Sequence, residues 1–192
     1  MTMEVNPVVA RAAIKSKTTV KFVWKKVKGA QRYRVYFAKC EKTLKRIATT
    51  TKRSYLKKNL KKGQTYRFRI VAQRQINGKW TDISTSYIGH FATGNLTKDR
   101  KYTNTKRIYS KPIKISLKVG QKYTIKATAT KEKASKKLLA KSHSAKFRYL
   151  STNTAIAKVS SKGRITAKKK GTCYVYVVGV NGVWRKIKVT VK

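Results

Sequence analysis

Apolar and basic side chains alternate along much of this chain, and a period of two is typical of a β-strand with one buried face. In residues 19–25, 32–37 and 66–73, aromatic and aliphatic side chains occupy one parity, while lysine and arginine occupy much of the other. Helical periodicity is nearly absent. Turn signals separate the stretches at Lys28-Gly29, Lys61-Lys62-Gly63 and Asn77-Gly78. The pattern predicts an all-β fold of short antiparallel strands packed as a sandwich.

The chain is long enough for two such sandwiches, because it has 192 residues and each sandwich needs about 100. Apolar residues make up 40% of it, so a packed core is available and disorder is excluded. Alternation stops in residues 94–110, which we interpret as the interdomain connection plus the first residues of the next domain, and it resumes from position 113. Residues 131–146 fit a short helical turn or a long hairpin loop, and we favour the loop. The predicted boundaries are an N-terminal tail at 1–7, a sandwich at 8–93, a linker at 94–110 and a second sandwich at 111–192.

Two sets of motifs carry family resemblances. Trp24 lies in the second predicted strand, and Leu60-Lys-Lys-Gly63-Gln-Thr-Tyr66 precedes the sixth; with these, residues 8–93 resemble a fibronectin type III domain. In that family the tryptophan fills the core, and the tyrosine forms a corner that ties its strand to the backbone upstream. Lys62 stands where proline is frequent in the family.

The second half carries motifs of a different family. They are Leu117-Lys-Val119-Gly120-Gln-Lys-Tyr123, then Tyr149-Leu-Ser151-Thr-Asn153-Thr-Ala-Ile156-Ala157-Lys-Val159-Ser-Ser-Lys-Gly163-Arg-Ile165-Thr-Ala167, and then Lys170-Gly171-Thr-Cys173. Residues 111–192 are thereby similar to a bacterial Ig-like domain of group 2. Both resemblances imply tandem immunoglobulin-like β-sandwiches that act as non-enzymatic spacers and adhesion elements, as on bacterial surface proteins and tailed-phage virions. A fold does not fix a function, so this implication is an analogy.

The predicted core contains Trp24, Tyr33, Tyr66, Phe68 and Cys173. Cys173 shares strand parity with valines, and we expect it and the second cysteine, at position 40, to be buried, unpaired thiols. Two cysteines so far apart indicate neither a disulfide framework nor a metal site.

The acidic and histidine residues of the sequence do not indicate a catalytic or metal-binding site. The acids and histidines are scattered, without a close pair for acid–base catalysis or the spacing of a metal site. They are Glu4, Glu41, Asp82, Asp99, Glu132, His90 and His143. Since no nucleophile, base and orienting group can be assigned together, we expect neither an enzyme nor a cofactor.

The charge of the chain points to its partners. Fifty lysines and arginines oppose five acids, giving a formal net charge of +45, and so basic a surface attracts polyanions. An acidic protein shell (capsid or tail proteins), teichoic acid, acidic glycans and nucleic acid all qualify. The candidate contact residues are outward-facing cations of the predicted strands and one lysine run: Lys21, Lys25, Arg32, Arg34, Arg67, Arg69, Lys168, Lys169 and Lys170.

We expect a non-enzymatic structural or adhesion protein on a virion surface, such as a capsid decoration or tail accessory protein. It would dock by its basic surface on an acidic partner and would be able to bind host glycans. No signal peptide and no apolar run near the ~18 residues of a membrane span occurs in the sequence, so we expect release by lysis and no membrane insertion. A fragment of a secreted, cell-surface bacterial adhesin that binds teichoic acid or host glycans is the second hypothesis. Sequence-independent nucleic-acid binding is the third.

Overall fold

A computed structural model describes residues 7–94, 102–139 and 144–192, which form strands and turns without a helix. The prediction of an all-β chain with two tandem immunoglobulin-like sandwiches is confirmed. Within the described ranges, no helix has the length and apolar character needed to cross a membrane.

The first sandwich packs a three-stranded sheet against a larger sheet. Its strands are β1 (Ala10–Ser16), β2 (Thr19–Trp24), β3 (Arg32–Lys39), β4 (Lys45–Thr50), β5 (Ser54–Lys57), β6 (Thr65–Ile76), β7 (Lys79–Thr85) and β8 (Gly89–Ala92). The small sheet has the order β1-β2-β5, and the large one has the order β4-β3-β6-β7, with β8 also paired to β6. All of these pairings are antiparallel.

Aromatic rings fill the space between these two sheets. Phe22 stacks on Phe68 with 4.7 Å between ring centroids, and Trp24 meets Tyr33 edge-on at 5.4 Å. The Tyr66 hydroxyl accepts a hydrogen bond of 2.9 Å from the Lys61 amide, as the resemblance implied. Burial raises the pKa of Tyr66, so its hydroxyl stays neutral and the corner persists at physiological pH. Because rings alternate with basic residues along these strands, the rings face the core between the two sheets and the basic residues face outward.

The second sandwich is built from smaller sheets. Its strands are β9 (Tyr102–Thr103), β10 (Thr105–Ser110), β11 (Lys114–Leu117), β12 (Lys122–Thr124), β13 (Ala127–Lys131), β14 (Lys137–Leu138), β15 (Phe147–Ser151), β16 (Ala157–Val159), β17 (Arg164–Ala167), β18 (Gly171–Gly179) and β19 (Trp184–Val191). A four-stranded sheet, β11-β19-β18-β15, faces the sheet β12-β17-β16, while β10 pairs with β13 and β9 with β14. The core between them is aliphatic and includes Cys173.

The motif residues of this second sandwich have local roles. The Asn153 side-chain oxygen accepts hydrogen bonds from the Ala155 and Ile156 amides at 2.9 and 3.2 Å, which fixes the turn after β15. Gly163 has a φ of +79°, and a Cβ there would lie 2.7 Å from the Tyr149 ring. The turn before β17 therefore requires glycine for both its backbone conformation and its space.

The segment expected as a linker holds a strand of the second sandwich. β10 covers residues 105–110 and pairs with β13, and its Ile108 belongs to the second core. Sequence alternation missed it because Thr105 and Ser110 are buried polar residues, which interrupt the apolar parity. The predicted loop at 131–146 likewise holds β14, which pairs with β9 in parallel.

The two sandwiches contact each other along a surface that we call the interdomain joint. Its apolar part is Val9, which packs against Tyr176 and Val178 of β18, with Leu150 and Trp184 beside them. Val9 is 2% exposed. Its burial by the other sandwich removes apolar area from water and stabilises the contact.

Hydrogen bonds reinforce the joint. The Ala12 amide of β1 donates to the Asn181 carbonyl at 2.9 Å. Asn104 spans the joint with its side chain, accepting from the Ala92 amide at 2.8 Å and donating to the Ala92 carbonyl at 2.9 Å. Asn104 and Asn181 are both buried. Because buried amide groups lose water when they pair this way, separating the sandwiches would leave unsatisfied groups or require rehydration, and the joint holds one relative orientation.

Candidate polyanion-binding face

Four arginines lie at successive two-residue steps along the outer face of the large sheet of the first sandwich. The β3–β6 register places Arg32 opposite Gln73, Arg34 opposite Val71, Tyr36 opposite Arg69, and Ala38 opposite Arg67. Each two-residue step along the sheet therefore carries one arginine facing a neutral neighbour. We call Arg32, Arg34, Arg69 and Arg67 the arginine row.

The spacing of the arginine row follows from strand geometry. Two residues of an antiparallel strand advance by about 7 Å, so the three steps between the four arginines cover about 20 Å. The row begins on β3 with Arg32 and Arg34 and continues on β6 with Arg69 and Arg67. No two of its members lie directly opposite each other, which limits their mutual repulsion.

Aromatic rings support two members of the row. The Arg32 guanidinium carbon lies 3.5 Å from the ring centroid of Trp80, and that of Arg69 lies 5.3 Å from the ring centroid of Tyr36. Such stacking uses the flat face of a guanidinium and leaves N–H groups at its edge available. Arg32 Nε also donates to the Gln73 side-chain oxygen at 2.9 Å.

Three members of the row have a hydrogen-bond donor without a partner. Within the described part of the chain, the Nε atoms of Arg34, Arg67 and Arg69 are buried and have no hydrogen-bond partner. A buried donor without an acceptor costs about 1–3 kcal/mol. These Nε atoms are enclosed by the protein, so an anionic ligand on this face would pair with the terminal N–H groups of the guanidiniums instead.

The electrostatic environment of the face is positive. Loss of solvation, together with the positive charges of Arg34 and Arg46, lowers the pKa of the Arg32 guanidinium. An arginine so perturbed is still charged at neutral pH. Asp82 of β7 accepts a hydrogen bond from the Gln73 side chain, at the Arg32 end of the row. Mutual repulsion among these cations would be relieved by a bound anion.

The remaining candidate cations lie elsewhere. Lys21 is on β2, in the sheet opposite the row, because β2 pairs with β1 and β5 and not with β3. Lys25 lies at the interdomain joint, its Nζ 5.5 Å from the Trp184 ring centroid. The run Lys168, Lys169 and Lys170 is exposed before β18 in the second sandwich. The structure thus brings together the four arginines but not the five lysines.

The candidate core residues lie in the two cores. Trp24, Tyr33, Tyr66 and Phe68 belong to the first cluster and Cys173 to the second, each with 3% exposure or less. Sequence reasoning left Trp80, Gln73 and Arg46 out of the face. The Asn77-Gly78 turn could have located Trp80, because a two-residue hairpin fixes which residues of β6 and β7 are opposite.

Acidic and histidine side chains do not gather in the described ranges. No group of three or more histidine, cysteine, aspartate or glutamate side chains able to hold a metal occurs there. Glu132 accepts a hydrogen bond from Asn104 at 2.9 Å. Glu41 is on the turn after β3, and Asp82 is at the arginine face. Glu4, Asp99 and His143 fall outside the described residues.

The two thiols differ in environment. Cys40, expected to be buried, is half-exposed, and its sulfur lies 3.9 Å from His90 Nδ1. Cys173 is buried, and burial raises the pKa of its thiol. Because the thiolate is the reactive form, Cys173 has less of it at neutral pH and is also shielded from reagents.

We therefore expect an aromatic disulfide reagent at about pH 7.5 to modify Cys40 at least ~10 times faster than Cys173 in the folded protein. Cys40→Ser should abolish the fast reaction, and Cys173→Ser should leave it intact. In denaturant both thiols should react alike. Equal rates in the folded protein would contradict the burial of Cys173.

Comparisons with known proteins give one family match and several similar solved structures. The family model described as bacterial Ig-like domain (group 2) matches residues 105–191. Among solved structures, the crystal structure of FN3tt is 22% identical and covers 47% of this chain and 91% of its own, with a TM-score of 0.35. The sixth fibronectin type III domain of human fibronectin type III domain containing protein 3 is 18% identical and covers 47% and 83%, with a TM-score of 0.39. The search among curated proteins found no match.

The family match starts at the first residue of β10, in agreement with the strand that the structure places there. The first sandwich has the Trp24 core and the Tyr66 corner that its resemblance implied. Residues 105–191 therefore match the bacterial Ig-like domain (group 2), and the first sandwich has the core tryptophan and the tyrosine corner expected of a fibronectin type III domain.

Proposed function

We propose that this chain is a virion accessory protein, a capsid decoration or tail component, that docks through its arginine row on an acidic protein surface. Its two domain types are those of surface and adhesion modules and are typically non-catalytic. The observation that carries the docking proposal is the placement of four arginines at successive steps on one sheet face. Binding of host glycans is a further part of the proposal.

Physical reasoning supports docking at the row over docking at an arbitrary basic patch. Exposed lysines in water gain little from pairing, about 0–1 kcal/mol each. Two guanidiniums of the row, those of Arg32 and Arg69, are held by stacking on Trp80 and Tyr36, so these two lose less side-chain entropy when they bind.

The docking proposal predicts a specific loss of affinity. Replacing Arg32, Arg34, Arg67 and Arg69 together by glutamine should weaken binding to poly-glutamate by at least ~10-fold, which corresponds to about 1.4 kcal/mol. A control variant replaces the exposed Lys162, Lys168, Lys169 and Lys170 by glutamine and loses the same charge. Binding would be measured by calorimetry at about 150 mM salt, where long-range attraction is screened.

The control variant should retain affinity to within about threefold, because its lysines act only through general charge. Equal losses in the two variants would contradict docking at the row.

Density-gradient fractionation of lysates from producing cells tests whether the protein is located on virions or on the cell wall. The chain should sediment with intact particles, whereas recovery only with cell-wall fragments would support the bacterial adhesin.

A further inference from the structure

We propose that the arginine row binds an extended acidic protein segment whose carboxylates occupy alternate residues. This inference rests on the proposed docking function and specifies the partner of the same face. It concerns how the row distinguishes between partners of equal charge.

The spacing of the row carries the inference. The backbone positions of its members follow one another at steps of about 7 Å, two on β3 and two on the neighbouring β6. An extended peptide has the same repeat, since every second side chain points to the same side at about 7 Å intervals. A segment lying along the boundary between β3 and β6 would therefore bring four successive carboxylates to the steps that carry Arg32, Arg34, Arg69 and Arg67.

The chemistry of the row suits carboxylates. A guanidinium presents paired N–H donors that match the two oxygens of a carboxylate. Arg32 and Arg69 are stacked by their flat faces and keep edge donors available. Arg46 lies opposite Tyr36 on β4, so Tyr36 has Arg46 on one side and Arg69 on the other. This additional cation lies beside the third step of the row.

The same contacts disfavour a single-stranded nucleic acid. Such ligands bind by stacking their bases on exposed aromatic rings. On this face Trp80 is stacked against Arg32, and Tyr36 is stacked against Arg69. Each ring therefore offers a base at most one open face. The row therefore favours a ligand that needs only the edges of the guanidiniums.

The test compares ligands that differ in spacing alone. Two fluorescent seven-residue peptides contain four glutamates and three serines each, with the glutamates alternating in one and contiguous in the other. Binding to the full chain is followed by fluorescence anisotropy at about 150 mM salt. We expect the alternating peptide to bind at least ~5 times more tightly, since only it can pair all four carboxylates without distortion.

The variants described above separate the outcomes. Glutamine at the four row positions should remove the preference for the alternating peptide, and the four-lysine control should keep it. Equal affinity for both peptides, lost in the row variant, would overturn the spacing inference and leave the docking proposal standing. Affinities unaffected by the row variant would overturn both. Tighter binding of a thymidine oligonucleotide with four phosphates would overturn the peptide assignment in favour of nucleic acid.

Discussion

Trp24→Ala is expected to lower the free energy of unfolding of the first sandwich by about 3–5 kcal/mol, as for other buried aromatic truncations. The indole is 2% exposed and packs edge-on against Tyr33, so alanine would leave a cavity between the sheets. Trp24 also pairs with Ala10 of β1, the strand that carries one side of the interdomain joint. Loss of the ring should therefore loosen the joint as well as the core.

Chemical denaturation followed by fluorescence measures this effect. The matched control is Lys21→Ala on the same strand, whose side chain is not part of the core and which should change stability by about ±0.5 kcal/mol or less. The second sandwich has its own core, so its unfolding should shift less than that of the first. A loss below ~1 kcal/mol for the tryptophan variant would mean that the indole does not fill the core.

Gly182→Ala is expected to open the interdomain joint. Gly182 has a φ of +85°, and a Cβ there would lie 2.0 Å from the Ala10 carbonyl oxygen. The obstacle is backbone of β1, which cannot move aside by a change of rotamer. We expect the hydrogen bond from Ala12 to Asn181 to be lost and stability to fall by about 2–5 kcal/mol, from the backbone conformation and the clash together.

Gly120→Ala provides the matched control. Gly120 has a similar φ of +83° and nothing within 4 Å of an added Cβ, so it incurs only the conformational cost of about 1–2 kcal/mol. Small-angle scattering and NMR relaxation would show whether the sandwiches tumble together or separately. If both glycine variants have the scattering profile of the parent chain, the joint does not depend on the close approach at Gly182.

Local patterns in the sequence were sufficient to predict three strands of the first sandwich, β2, β3 and β6, and the core residues on them. The alternation of rings and arginines fixed which side chains face inward, and Asn77 and Gly78 form the predicted turn with φ of 52° and 74°. These features depend on residues close together in the chain. The period of a strand, its turns and its parity can therefore be predicted without knowing its neighbours.

Features that depend on strand partners could not be predicted in the same way. Lys21 and Arg32 have the same outward parity, yet they lie on opposite sheets because β2 pairs with β5 while β3 pairs with β6. The single-file order of the arginine row also depends on the β3–β6 register. Parity gives the side of a strand, whereas register requires knowing which residues lie across from it.

The interdomain joint was the least predictable element. Val9 and Asn181 are far apart in sequence and belong to different sandwiches, and a buried asparagine looks like a loop residue in a sequence. β10 was not predicted for a related reason, because its buried residues Thr105 and Ser110 are polar and interrupt the apolar alternation. Polar residues that are buried by another domain carry no local apolar signal.

The joint has a consequence for how two weak contacts would add up. Because the sandwiches keep one mutual orientation, immobilising the first also fixes the direction in which the second projects. A flexible tether would have to be ordered again at each new contact, at the expense of affinity. Here that entropy is already lost on folding, so a target with two sites at the matching separation would be held more strongly than by freely jointed domains.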